Sequence, residues 1–221
     1  MSGTRRRRLP RQVREQQIID AAVQVFSKRG YHAAVVDEIA DLAGISKPMV
    51  YLYFGSKEGL FIACIKREGE LLTHEFQQAA AVEQGADQQL WAGLSAFFSH
   101  VAANRDGWIV LYRQAPEQGG EIAAEVERQR AAVMTAVTGL VGAGIHGSDS
   151  SAGLGDQDAE FVAHALVGAA DSLTGWMADH PDEAPDRVTL RLMNMVWVGM
   201  RQVLAGEVWT PPEGAAEPVE G

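Results

Sequence analysis

Residues 36–54 read Val-Asp-Glu-Ile-Ala-Asp-Leu-Ala-Gly-Ile-Ser-Lys-Pro-Met-Val-Tyr-Leu-Tyr-Phe, two short amphipathic segments joined at one glycine. Ile39, Ala40, Ala43, Ile45, Val50 and Phe54 fall where two helices crossing at a steep angle must touch. Gly44 occupies the turn, where a Cβ would be strained, and Ala40 is small where the helices come closest. Ser46 stands where a hydroxyl can cap the second helix. Pro48 in its first turn gives up only a donor that has no helical partner. The second helix is therefore expected to start at about Lys47. The pattern is a helix-turn-helix, and Lys47, Pro48 and Met49 would face a major groove, where base pairs differ in donors, acceptors and methyls.

The flanks extend the pattern. Upstream, Ile18, Ile19, Ala22, Val23, Val25 and Phe26 recur at helical spacing before Lys28-Arg29-Gly30, a cationic last turn and a stop residue. Downstream, Gly55-Ser56-Lys57-Glu58 ends the second hairpin helix and caps a further one carrying Leu60, Phe61, Ala63, Cys64 and Ile65. Over Arg14 to Ile65 the chain resembles the TetR family of bacterial transcriptional regulators. The residues that carry the likeness are Ile19, Ala22, Phe26, Gly30-Tyr31, Asp37-Glu38-Ile39-Ala40, Ala43-Gly44-Ile45-Ser46-Lys47, Tyr51, Phe54 and Ser56-Lys57-Glu58 with Leu60. The resemblance implies an all-α homodimer, with a helix-turn-helix domain followed by a larger helical domain. That second domain binds a small molecule and thereby loosens the grip on an operator, most simply as a repressor. A regulator without a ligand, or an activator, is the alternative.

Charge supports the DNA reading independently. Residues 1–57 hold ten Lys or Arg against five acids, a net +5, which leaves −15 on the rest of a chain whose total is −10. One basic part for phosphates and one acidic part kept in solvent fit a DNA-binding protein better than an enzyme. A chain of 221 residues with 47% hydrophobic content can bury a large core. No run of about eighteen apolar residues exists to span a membrane. The arginines near the N-terminus lack the apolar stretch of a secretion signal, so the expected location is the cytoplasm. The single Cys64 cannot form an internal disulfide and lies on an apolar helix face, a packing position. The expected organisation is a basic arm over 1–12, the hairpin domain over 13–58, a helical effector-binding and dimerisation domain over 59–208, and a disordered tail over 209–221.

Further helices are expected from Ser56 towards Val82, over Asp87 to Ala103, Asp106 to Gln114, Glu121 to Leu140, Asp156 to Asp179 and Pro185 to Val208, with a flexible Gly142 to Gly155 connection. The last two helices are apolar on more than one face. One solution is a monomeric core; the other is a four-helix bundle with the same pair from a second copy. For that bundle the candidate contacts are Leu166, Leu173, Leu192, Met195, Val196, Gly199, Met200 and Val203. A two-fold axis would place the recognition helices about 34 Å apart and call for a palindromic operator.

The resemblance assigns DNA contacts to Lys47, Tyr51, Tyr53 and Lys57, whose ammonium and phenol groups suit phosphates and base edges. Met49 and Leu52 offer only apolar contact, to a thymine methyl or to the neighbouring helix. Arg5 to Arg8 either enter a minor groove, add affinity without sequence preference, or form a solvated, disordered arm. Relatives usually carry two hydroxyl residues before the first hairpin helix, and Ala34-Val35 stand there instead, removing a cap worth about 1 kcal/mol. Asp37 either accepts from a cytosine amino group or turns away.

For an effector, Trp91, Phe97, Phe98, Val101, Trp108, Tyr112, Met134, Val137, Phe161, His164, Ala165, Gly168 and Trp176 could line a large apolar cavity. For any one of the aromatics, plain core packing is the better reading. Asp171, amid Gly168-Ala169-Ala170 and Leu173, would be costly to bury unpaired. Family members with similar Gly30-Tyr31-His32-Ala33-Ala34 and Ser46-Lys47-Pro48 stretches regulate lipid metabolism, which implies a lipophilic effector such as an acyl chain or its thioester. No cofactor is expected. The six histidines show no metal-ligand spacing, the cysteine has no activating partner, and no glycine loop cradles a phosphate, so an enzyme is the weaker reading.

Overall fold

A computed structural model describes residues 10–81, 85–146 and 155–204. Helix α1 spans Arg11–Ala33, α2 Val36–Leu42, α3 Lys47–Phe54, α4 Lys57–Ala80 and α5 Ala86–Ala103. Then come α6 (Arg105–Trp108), a π-helical stretch Ile109–Gln114, a 3-10 turn Pro116–Gln118, α7 (Gly120–His146), α8 (Asp156–Asp179) and α9 (Pro185–Leu204). No strand occurs among the described residues. Residues 1–9 of the expected arm, the tail and most of the Gly142 to Gly155 connection lie outside them; Arg11 and Gln12, expected in the arm, open α1 instead, and α7 carries on through Gly142 to His146.

The punctuation follows the backbone chemistry of the sequence. Gly30 leaves the helical region at φ 77° inside α1, so the expected stop is a kink that one more turn survives. Gly44 takes φ 65° between α2 and α3, and Gly55 takes φ 74° between α3 and α4. Ser56 accepts the Gly59 N–H at 2.9 Å and so caps α4.

Two compact units account for the chain's contacts, Met1–Gln77 with Ser99–Val133 and Gln78–Phe98 with Met134–Gly221. Their borders fall within α4, α5 and α7. In the first unit, Ile18, Ala22 and Phe26 of α1 form one core with Ile39, Val50, Leu60, Phe61, Cys64 and Ile65. Val110, Ala115, Ile122 and Val126 complete it. Phe26 meets Phe61 edge-on at 4.7 Å between ring centres. Cys64 is fully buried and burial pushes its thiol pKa up, leaving no thiolate at neutral pH. Iodoacetamide should therefore leave the native chain unmodified and react with Cys64 after unfolding in guanidinium. Mass spectrometry checks this, and rapid native alkylation would contradict the packing.

A polar seam crosses this apolar unit. Glu68, only 5% exposed, accepts from Arg67, which also reaches Asp20 of α1. Burial lowers the Arg67 pKa, but Glu68 and Asp20 together hold it above its ordinary value. Gly107 of α6 packs so closely on the Glu68 carboxylate that a Cβ there would overlap it. Gln114 closes the π-helical stretch onto α1 by donating to the Ser27 carbonyl at 3.2 Å.

In the second unit, α8 turns Ala159, Ala163, Leu166, Ala170, Thr174 and Met177 inward, a stripe at helical spacing. Val188, Leu192 and Met193 are the buried counterparts on α9. The guanidinium of Arg191 on α9 lies 6.0 Å from the centre of the Trp176 ring on α8. Among the described residues, no helix is long and apolar enough to cross a membrane.

Candidate nucleic-acid interface

Val50 anchors α3 from below, fully buried against the first unit's core. That fixes which face looks outward. Lys47, Pro48, Tyr51 and Leu52 are exposed, Leu52 by 74%. Met49 and Tyr53 are half-buried, and Tyr53 packs against the core. Of the two roles open for Met49 and Leu52, burial against a neighbour accounts in part for Met49 and does not account for Leu52.

Neither hairpin helix has a side-chain cap. The absence at α2 follows from Val35 in the capping position. At α3 the expectation needs correcting: Ser46 is the N-cap, but its hydroxyl makes no capping bond, and only its carbonyl serves, accepting from the Met49 N–H at 2.9 Å. Asp37 and Glu38 in the first turn of α2 oppose the positive end of its dipole.

Those two carboxylates also reach across the hairpin. Asp37 accepts from Lys47 Nζ at 2.8 Å, and Glu38 from Arg29 at 3.3 Å. The hydrogen bond that Lys47 donates to Asp37 holds the Lys47 pKa above its ordinary value. Asp37 has thus turned to the recognition helix. Lys57 donates to the His32 carbonyl at 3.0 Å and lies 5.0 Å from the centre of the Tyr31 ring, and burial lowers its pKa. Arg11 covers the face of Tyr53 at 5.6 Å. Arg11, Arg29 and Glu38 were not foreseen as parts of this surface. They reach it through tertiary contacts with no local spacing to announce them.

Lys57 has two intrachain partners but an ammonium carries three donors, so one remains to meet a phosphate. Lys57→Met should weaken binding to every duplex alike and reduce the slope of log K against log salt by about 0.9. Fluorescence anisotropy over a salt series reads both, and altered sequence preference at unchanged affinity would contradict a phosphate role.

The residues expected around an effector separate. Phe98 is fully buried, and Trp108, Met134 and Asp171 are half-buried, with the Asp171 carbonyl accepting from Thr174 at 2.7 Å. Phe161, His164 and Gly168 are corrected: they lie on the outer face of α8, Phe161 75% exposed and His164 donating through Nδ1 to the Glu160 carbonyl. The side chain of Tyr112 lies outside the described residues. A cleft of about 800 Å³ in the first unit is lined mostly by polar and charged residues instead: Gln16, Asp20, Arg67, Glu68, Glu70, Leu71, His74 and Asn104. Among the described residues, no cluster of three or more His, Cys, Asp or Glu could hold a metal ion.

The expected intermolecular face divides similarly. Leu166 and Leu192 are corrected, both about 3% exposed and used in the chain's own core. Met195 is 78% exposed, Gly199 is exposed, and Leu173 and Val196 are half-buried. The side chains of Met200 and Val203 lie outside the described residues. The reason is one of helical phase. Both faces of α8 are apolar or small, so composition cannot show which of them the chain keeps for itself.

A glycine-hinged hairpin on a compact helical unit, followed by a second helical unit, defines a helix-turn-helix DNA-binding regulator. Residues 18–64 match the family model of bacterial regulatory proteins, tetR family, and residues 86–199 match the tetracyclin repressor-like C-terminal domain. The chain belongs to the TetR family, and so is a ligand-responsive, DNA-binding transcriptional regulator. It is 32% identical over 203 residues to the HTH-type transcriptional activator FasR of Mycolicibacterium smegmatis, covering 91% of this chain and 90% of FasR. A crystal structure of a TetR-like regulator from Rhodococcus sp. RHA1 superposes with a TM-score of 0.71 at 38% identity, covering 88% of this chain and 99% of that one. The transcriptional regulator FadR from Bacillus subtilis, crystallised in complex with stearoyl-CoA, shares the fold at a TM-score of 0.72 and 22% identity, covering 88% and 99%.

Proposed function

We propose that this protein is a cytoplasmic regulator, without catalytic activity, that binds a palindromic operator as a homodimer and changes its grip when a long-chain acyl thioester enters its second domain. The observation that carries the DNA half is the outward face of α3, where Lys47, Pro48, Tyr51 and Leu52 stand exposed on a helix whose other side is sealed into the core. That arrangement leaves polar and apolar groups free for base edges and phosphates.

Two copies are needed because one eight-residue helix reads too few base pairs to single out an operator. The outer face of α8 supports a symmetric contact. Phe161, His164, Ala165, Gly168, Ser172 and Gly175 are exposed along it, and its small residues allow another helix to approach closely. Exposed Met195, Val198 and Gly199 of α9 extend the same reading. Residues placed by composition in the effector cavity thus serve better in the dimer contact.

The likeness to the stearoyl-CoA complex of FadR supports the acyl thioester, and the aromatic and aliphatic content of α5 and α7 suits an alkyl chain. Whether occupancy represses or activates depends on where the operator lies relative to the promoter. The chain itself supplies only the change in DNA affinity.

Stearoyl-CoA at a hundredfold excess over its dissociation constant should stabilise the protein by about 2.7 kcal/mol. In a domain of this size that raises the melting temperature by roughly 5–10 °C. The same ligand should shift the salt-dependent DNA affinity in an anisotropy titration. Stabilisation by a hydrophilic metabolite alone would overturn the acyl reading and leave the DNA reading standing.

A further inference from the structure

The Lys47–Asp37 pair joins the first residue of the recognition helix to the first turn of the preceding helix, ten residues away, at 2.8 Å. Both side chains remain about half exposed, 44% and 57%, and among the described residues each has the other as its ion-pair partner. The pair sits at the tip that faces DNA, where a free ammonium would seize any phosphate and a free carboxylate would be repelled by all of them. Together they are neutral.

A neutral donor beside an acceptor has a specific complement in the major groove. A G·C pair shows the guanine O6 and N7 acceptors next to the cytosine N4 amino donor, and Lys reads the former while Asp reads the latter. An A·T pair offers a methyl and a different order of donor and acceptor. The second ion pair, Arg29–Glu38, neutralises another cation beside the first turn of α2.

We propose that Lys47 and Asp37 read one G·C base pair of each half-site as a unit, the ammonium donating to guanine and the carboxylate accepting from cytosine, and that Asp37 thereby suppresses binding to unrelated DNA. Asp37 is a specificity-determining residue and, towards Lys47, a positioning one. It restrains an ammonium whose long stem would otherwise reach the backbone. The inference rests on α3 entering the major groove, as proposed above.

A purely structural role is the rival account, since Asp37 opposes the dipole of a helix that Val35 leaves uncapped. That role would alter melting temperature and nothing about base preference. The test is selection of bound duplexes from a random-sequence pool by the wild-type chain, Asp37→Asn and Lys47→Gln, followed by anisotropy titrations with the selected duplex and its single-pair substitutions.

The wild type should enrich an inverted repeat with a G·C pair at one position of each half, where A·T costs about tenfold to a hundredfold in affinity. Asp37→Asn should bind unrelated duplexes more tightly, with a salt slope steeper by about 0.9, and reduce the cost of A·T at that position to a few-fold. Lys47→Gln should lose the same preference without the steeper slope. If Asp37→Asn melts early, Lys47→Gln carries the comparison, because it leaves both first-turn carboxylates of α2 in place. Unchanged G·C discrimination and an unchanged salt slope in the variants would overturn the inference while the wild-type consensus stands. A wild-type chain that enriches no sequence would instead overturn the major-groove reading beneath it.

Discussion

Glutamate in place of Met195 should leave the protein monomeric at micromolar concentration and reduce its affinity for a palindromic duplex by about a hundredfold or more. Met195 is 78% exposed in the single chain, one of several large apolar side chains left uncovered on α8 and α9. Phe161, 75% exposed on α8, and Val198, 45% exposed on α9, carry the same signal. In a two-fold contact each residue is present twice, so one substitution places two carboxylates in a desolvated seam. Burying an unpaired charge costs several kcal/mol, enough to dissolve an interface of ordinary size. Loss of DNA affinity follows, because two linked half-sites outbind one by about 10² to 10⁴. Sedimentation velocity and anisotropy on the same preparation check both outcomes. A Met195→Glu variant that remains dimeric would remove α9 from the contact.

Alanine at Gly59 should lower the melting temperature by roughly 4–8 °C, although alanine is the better helix former. Gly59 lies in the first turn of α4, and a Cβ built on it would overlap the backbone carbonyl oxygen of Phe54, the last residue of α3. A side chain could rotate away from such a contact; a carbonyl at a helix end cannot. Overpacking of this kind costs about 1–3 kcal/mol and belongs at the top of that range, well above the helix-propensity gain of roughly 1 kcal/mol. At about 2–4 °C per kcal/mol this gives the stated fall. Gly139 on α7 supplies the control, since a Cβ there meets nothing within 4 Å, and Gly139→Ala should raise stability slightly. Circular dichroism melts decide it, and a Gly59→Ala chain as stable as the wild type would contradict the tight α3–α4 junction. Because that junction orients the recognition helix, DNA affinity should fall with the melting temperature.

What the sequence made legible was whatever local chemistry governs. Gly44, Gly55 and Ser56 punctuate the hairpin where turn and cap rules place them, and Val50 and Ile39 bury where the helical period points. Asp156 to Asp179 is a helix over the span expected from its composition. The misreadings share a different cause. Ser46 stands at the capping position, yet its hydroxyl makes no capping bond. The two faces of α8 are similar enough in composition that Leu166 and Phe161 exchange roles, one buried in the chain and the other exposed. The Asp37–Lys47 and Arg29–Glu38 pairs join residues ten and nine positions apart on different helices, and only the packing of the hairpin brings them together. Likewise, the close approach at Gly59 depends on the angle between α3 and α4, which no spacing rule encodes.

The account rests on two copies of one glycine-hinged hairpin entering successive major grooves. Hydroxyl-radical footprinting on the DNA flanking the protein's own gene tests this most directly. Two protected segments related by an inverted repeat, centred about 10 base pairs or a multiple apart, are the expected result. A single unpaired protected segment, or none at low salt, would contradict it.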